Sequence, residues 1–270
     1  MKQSNNEKGA TLIIVLILLV LISIIGLYAV RHSIFNLKLA TNAQVQTLLM
    51  QTTDVALNHL EANFNSNVSS NIAGTPVGQV LLDGNQGKEL QFCFKPTEVN
   101  ADKSIKNNMF FDLSSFRIIE RASPSSPNAS TSIISGDYDA VCNPATMFSI
   151  SRKALVTQIS VDSPDDPSVE LSRFELATKN TDLKETNIET KRVRVTATSF
   201  APALAPSVSI SDMNSCLKER MMDDMLLKNK EDSSASQVKV QTLHECLNAL
   251  GVPLNTQVAE YVVNLTQSRS

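Results

Sequence analysis

The chain has 270 residues, a formal net charge of −3, 42% hydrophobic residues, no tryptophan and three tyrosines. Without a basic excess it offers no stripe for a nucleic-acid backbone, and few rings are at hand for aromatic anchoring. Residues 65–270 are enough for one domain with an ordinary core, or for one domain with a sizeable insertion.

Residues 11–30, TLIIVLILLVLISIIGLYAV, hold no charge. Such a run rises about 30 Å as a helix, which matches the hydrocarbon core of a bilayer. The apolar region of a secretory signal is shorter, about 7–15 residues, and ends at a small-residue cleavage site. Here the chain continues as VRHSIFNLKLATNAQVQ with no A-x-A site, so the segment is expected to be retained. A plain signal anchor is the simplest alternative. Lys2 and Lys8 precede the run, partly offset by Glu7, and Arg31 and Lys38 follow it. That charge pattern favours an N-terminus on the inside only slightly.

Between positions 33 and 64 there is neither proline nor glycine. Val45, Leu48, Leu49, Thr52, Ala56, Leu60 and Phe64 recur in steps of three and four, while Gln44, Gln46, Gln51, Asp54 and Asn58 take other faces. One helix is therefore predicted over residues 10–64, about 80 Å long, apolar all round in its first half and amphipathic in its second. Globular helices average about 11–12 residues, so this one needs a special reason. Its first half requires a bilayer or neighbouring copies around it; its second requires a domain to lie on.

Residues 8–33, KGATLIIVLILLVLISIIGLYAVRHS, resemble the N-terminus of a type IV prepilin. Gly26, Ala29, Arg31, Ser33, Leu39, Ala40, Asn42, Asp54, Ala56, Leu57 and Glu61 extend the likeness to the PilX-type minor pilins. The resemblance covers about the first quarter of the chain. It implies a leader, residues 1–9, cut by a prepilin peptidase between Gly9 and Ala10, with Ala10 then N-methylated. Losing the leader removes two lysines and one glutamate and leaves a net charge of −4. The implied fold is α+β and type IV pilin-like: the long helix (10–64, membrane-spanning over about 11–30) packs on an antiparallel sheet in a globular domain of residues 65–270. The implied function is non-catalytic assembly of a type IV pilus, with other minor pilins, the major pilin and the inner membrane as partners. Before assembly the chain would sit in the inner membrane with its C-terminal domain periplasmic, and afterwards in the surface fibre. Adhesion, surface motility and DNA uptake are activities of such pili, and this sequence selects none. A tip pseudopilin of a type II secretion system and a signal-anchored periplasmic domain are the alternatives.

Counting from Ala10, the fifth position is Ile14, where most pilins carry a glutamate. That carboxylate is thought to meet the free amino terminus of a neighbouring subunit; a subunit with nothing above it does not need the contact. Ile14 thus supports a place at or near the tip, in an initiation complex. Simple tolerance of isoleucine is the other reading.

Beyond the helix, residues 65–87 form a turn-rich stretch with Gly74, Pro76, Gly78, Gly84 and Gly87. KELQFCFKP reads as a strand, as do residues around 116–120, RKALVTQISVDS and VELSRFELAT. SPSSPNASTS reads as a loop and SPDDP as a tight turn. KRVRVTATSFAP is the clearest strand, with Val193, Val195 and Ala197 on one face and Arg192, Arg194 and Thr196 on the other. With Lys191, those arginines are the nearest approach to a basic patch, and they read as the solvent face of the strand. Extra helices are predicted at the C-terminal end. SDMNSCLKERMMDDMLLKN has Ser211 or Asp212 as N-cap and a Leu217, Met221, Met225 stripe, and VQTLHECLNALGVP is ended by Gly251 and Pro253.

Four cysteines, Cys93, Cys142, Cys216 and Cys246, form no C-x-x-C pair, which argues against a zinc ribbon or a thioredoxin-type site. An even count behind a membrane segment suggests disulfides. Three pairings are possible; Cys93–Cys142 with Cys216–Cys246 is preferred because each pair stays within one region. Free buried thiols in a cytoplasmic domain are the alternative. His32, His59 and His244 share no metal-ligand spacing, and no nucleophile elbow, phosphate loop or dinucleotide fingerprint occurs. Asp162, Asp165, Asp166 and Glu170 in VDSPDDPSVE have the chemistry for Ca²⁺ but no EF-hand spacing, and read as a solvated turn. No catalytic, cofactor-binding or metal-ligating residue, no cofactor and no small-molecule substrate is assigned.

Overall fold

The structure is a computed structural model. It describes residues 7–67, 76–85, 87–95, 116–123, 126, 128–135, 140–149, 154–164, 187–223 and 241–267. Its contacts divide the chain into two units, Met1–Thr47 and Leu48–Ser270. Helix α1 (Glu7–Asn67) provides the first unit and enters the second. The expected strand VELSRFELAT, and Asp165, Asp166 and Glu170 of the expected turn, lie outside the described residues.

The second unit is built on a six-stranded antiparallel sheet. Its strands are β1 (Glu89–Cys93), β2 (Phe116–Arg121), β3 (Ala129–Ser135), β4 (Val156–Asp162), β5 (Asn187–Phe200) and β6 (Leu254–Gln267), in the order β3-β2-β1-β4-β5-β6. Hairpin-like neighbours alone do not give this order: β4 crosses to lie beside β1, and β6 returns to lie beside β5. Alternation along the strands makes two chemically different faces. Leu90, Phe92, Ile118, Ile159, Val161, Val193, Val195 and Ala197 share one apolar core with Ala56 of α1 and with Val77 and Val80 of the short helix α2 (Pro76–Val80).

On α1, Leu49, Thr52, Thr53 and Ala56 are buried and Leu57 packs against the core, while the side chains of Leu60 and Phe64 lie outside the described ones. Leu48 and Val55 are exposed, so the stripe is narrower than the spacing suggested and is made partly of threonine. A buried threonine fits because its hydroxyl returns to the preceding turn: Thr52 Oγ1 donates to the Leu48 carbonyl at 2.7 Å and Thr53 Oγ1 to the Met50 carbonyl at 2.8 Å. Asn255 Nδ2 of β6 also donates to Thr53 Oγ1 at 2.9 Å, which hooks the last strand onto the helix.

The other face is covered as well. Helices α3 (Ile210–Glu219) and α4 (Leu243–Ala249) enclose a second core with Met213, Cys216, Leu217, Leu243, Leu247, Val156 and Phe200. The N-cap of α3 is Ser209, not Ser211 or Asp212: Ser209 is extended, and its hydroxyl accepts from the Asp212 amide. The helix also ends earlier than the stripe implied. At Arg220 the backbone turns extended, so Met221 and Met222 leave the helix and are buried beside the sheet. α4 starts in a reciprocal capping box between Thr242 and Glu245 and is followed by Gly251 at φ 78°, the left-handed conformation glycine adopts at such an end.

Three elements depart from the sequence expectation. SPSSPNASTS is not all loop, since β3 begins at Ala129. The turn-rich stretch contains α2. The C-terminus does not finish in helices: β6 follows them and pairs with β5 along its whole length. Ala56→Leu would force a larger side chain into a fully buried seat between α1 and the sheet. It is expected to lower domain stability by about 1–3 kcal/mol in denaturant titrations, whereas Val55→Leu on the exposed side should stay within about 0.5 kcal/mol.

Candidate functional site

In α1 the backbone is helical from Glu7, so Gly9 and Ala10 fall in its first turn, where amide hydrogens have no partner within the helix. From residue 11 to 30 every side chain is exposed, and Ile14 is 57% exposed. By length and composition this helix is able to cross a membrane. Its polar interruptions are muted: Ser23 Oγ donates to the Leu19 carbonyl at 2.8 Å, which removes a hydroxyl that hydrocarbon would otherwise leave unsatisfied. The His32 ring stacks on Tyr28 at 6.2 Å between centroids. A side chain built at Gly26 would meet no atom of the chain within 4 Å. The chain's own packing therefore does not demand glycine there, whereas close approach of a second helix favours it.

The candidate disulfide residues come together in the second unit. Cys93 and Cys142 lie at 2.02 Å between sulfurs, and Cys216 and Cys246 at 1.98 Å. The first joins the end of β1 to the 140–149 loop, which Gln158 also holds: its Oε1 accepts from the Cys142 amide at 2.9 Å and its Nε2 donates to the Ala140 carbonyl at 3.1 Å. The second ties α3 to α4. His59 packs edge-on against Phe94, and His244 Nδ1 lies 3.1 Å from Thr256 Oγ1. Among the described residues no three His, Cys, Asp or Glu side chains form a metal-holding group.

Sequence reasoning missed a buried polar cluster. Arg194 is not on a solvent face: it is 7% exposed, with Nη1 2.6 Å from Asp223 and Nη2 2.7 Å from Glu260. Asp162 is not in a solvated turn but is fully buried at the end of β4. Glu89 lies opposite Asp162, and Asp162 opposite Arg194, in the strand pairing. Arg117 of β2 donates through Nε (3.1 Å) and Nη2 (2.6 Å) to Gln91 Oε1, and onward to the carbonyls of Lys218 (2.8 Å) and Leu217. Burial pushes the Glu89 carboxyl up to about 7 and the Arg117 guanidinium down to about 10. Burial, with the charges of Asp223 and Glu89, raises Asp162 well above the usual carboxylate range, against the pull of Arg194. The alternating pattern did mark these side chains as one face. It carried no sign that residues 217–223 return to cover them.

Residues 8–58 match the family described as PilX N-terminal. No curated protein and no solved structure matches the chain. That likeness to a pilin family fits a structural role and contact with other pilus components, and the apolar helix is long enough to attach the chain to a membrane. Gly26→Leu is accordingly expected to leave the level of folded protein near wild type while reducing its amount in sheared fibres several-fold, as read by quantitative immunoblotting of both fractions. Equal loss from both fractions would instead mean misfolding. Over residues 8–58 the chain is similar to the N-terminal region of PilX-type type IV pilus minor pilins.

Proposed function

We propose that the chain helps to start a type IV pilus, as a member of a minor-pilin initiation complex placed at or near the fibre tip. The observation that carries this reading is a helical run of twenty uncharged, exposed residues standing directly behind Gly9, inside the PilX match. Such a surface is stable only in lipid or among other helices of its kind. The prepilin peptidase cuts between Gly9 and Ala10, where the first helical turn has the fewest internal hydrogen bonds. Before assembly the run about 11–30 spans the inner membrane and the sheet domain lies in the periplasm. On extraction the same run passes from lipid into a bundle of other minor pilins and the major pilin. The mechanism is burial, without a chemical step.

Ile14 supports the tip place. In the pilins that the chain resembles, a carboxylate at this position is thought to meet the free amino terminus of a neighbouring subunit. With isoleucine that attraction is absent, which suits a subunit that receives no pilin above it. In a strain whose only copy is Ile14→Glu, the buried carboxylate would lack a partner at the tip, at a cost of about 2.5–3.5 kcal/mol or more. The variant is expected to give fewer pili, or to spread from the tip along the shaft in immunogold labelling. N-terminal sequencing of the wild-type protein from membranes should begin at Ala10, and Gly9→Val should block that cut. A wild-type protein that begins at Met1 would return the segment to a plain signal anchor. Wild-type label along the shaft, unchanged by Ile14→Glu, would remove the tip assignment.

A further inference from the structure

Among the described residues, the covered polar face of the sheet holds more buried negative charge than positive. Glu89 of β1, Arg117 of β2, Asp162 of β4, Arg194 of β5 and Asp223 meet there, each less than 10% exposed. Three carboxyl groups thus face two guanidiniums. At the rim Glu260 of β6 adds another acid to Arg194 at 2.7 Å, and Arg192 lies 3.8 Å from the same Glu260. On the covering segment Lys218 and Glu219 are exposed, and Arg220 bonds to Asn128. An uncompensated buried charge is costly enough that a carboxyl takes up a proton instead.

Asp162 is the place for that proton. It is fully buried, and among the described residues no donor reaches either of its carboxyl oxygens. Ser160 and Thr196 lie on the same face one pairing row away, and among the described residues Thr196 Oγ1 is also without a partner. A carboxylate at 162 would stand opposite Glu89 and near Asp223. A protonated carboxyl gives Asp223 a donor, as their mutual influence indicates.

The cluster grips one segment. Glu89 accepts from the Met222 amide at 2.8 and 3.0 Å and from the Asp223 amide at 3.4 Å. Arg117 holds the Leu217 and Lys218 carbonyls, Gln91 donates to the Arg220 carbonyl at 3.3 Å, and Arg194 holds the Asp223 carboxylate. We propose that Glu89, Asp162 and Asp223 form a proton-dependent latch, which clamps residues 217–223 onto the sheet while one carboxyl is protonated and loosens them when that proton leaves.

The direction follows from linkage. In the unfolded chain these carboxyls ionise near pH 4–4.5, while burial raises Glu89 to about 7 and Asp162 likewise upward. Their contribution is therefore complete below about pH 4 and is lost as pH rises toward 7, the reverse of ordinary acid lability. The test is hydrogen exchange by mass spectrometry on the full mature chain in detergent micelles, disulfides intact, at pH 5 and pH 8 and corrected for intrinsic exchange. Protection of peptides over 217–223 is expected to fall by about tenfold or more at pH 8, with or without EDTA. Asp162→Asn, which is neutral at both pH values, should keep at pH 8 the protection that the wild type shows at pH 5. Unchanged wild-type protection between the two pH values would overturn the latch. So would loss of protection on adding EDTA at pH 8, since a cation would then balance the charge, or lower protection in Asp162→Asn than in wild type at pH 8.

Discussion

Twenty consecutive uncharged, exposed side chains set the terms for the whole molecule. The segment 11–30 has helical backbone, so its peptide groups are satisfied internally, but its surface has to be solvated by hydrocarbon. A membrane supplies it, and so does a bundle of like helices. The proposed function uses both in turn. The same demand explains why polar side chains on the run are so few and why Ser23 turns its hydroxyl back onto the backbone.

The sheet of the second unit meets a different constraint, since β1 and β4 at its centre are buried on both faces. One is plainly apolar and receives Leu49, Thr53 and Ala56 of the helix. The other grades from an apolar end, around Val156, Phe200 and the two disulfides, to a charged end at Glu89, Asp162 and Arg194. Apolar burial and cross-links hold the first end. Hydrogen bonds from side chains to the main chain hold the second. Such bonds contribute little net stability, but breaking one strands a buried polar group, so they fix position more than they add strength. The C-terminal helices are therefore anchored firmly where α3 meets α4 and conditionally where residues 217–223 cross the charged rows.

Much of this was legible in the chain. The helix showed in the absence of glycine and proline and in the three-four spacing, and β1, β2, β4 and β5 showed in their alternation. What alternation cannot report is whether the second face of a strand meets water or protein. Arg194 and Asp162 look like solvent-facing residues by type, yet both are buried because residues 217–223 close over them, a long-range event with no local signature. The end of α3 was misread for the same reason: Met221 continues the helical stripe in sequence, but its backbone is drawn extended to pair with Leu243. β6 was overlooked although QVAEYVVNLT alternates, because Gly251 and Pro253 mark a helix end so clearly that the chain reads as finished. Of the assembly surface the run, Gly9, Gly26 and Ile14 stood out in sequence. The buried latch did not.

The most direct measurement of whether the run 11–30 moves from lipid into a fibre is photocrosslinking from within it. A photoreactive amino acid in place of Leu19, which is exposed on the helix, would be irradiated in cells and the sheared fibre and membrane fractions analysed separately. The expected result is lipid adducts in the membrane fraction and crosslinks to the apolar helix of another pilin in the fibre fraction. A chain that yields only lipid adducts and is absent from fibres, with piliation intact, would contradict a role in assembling them.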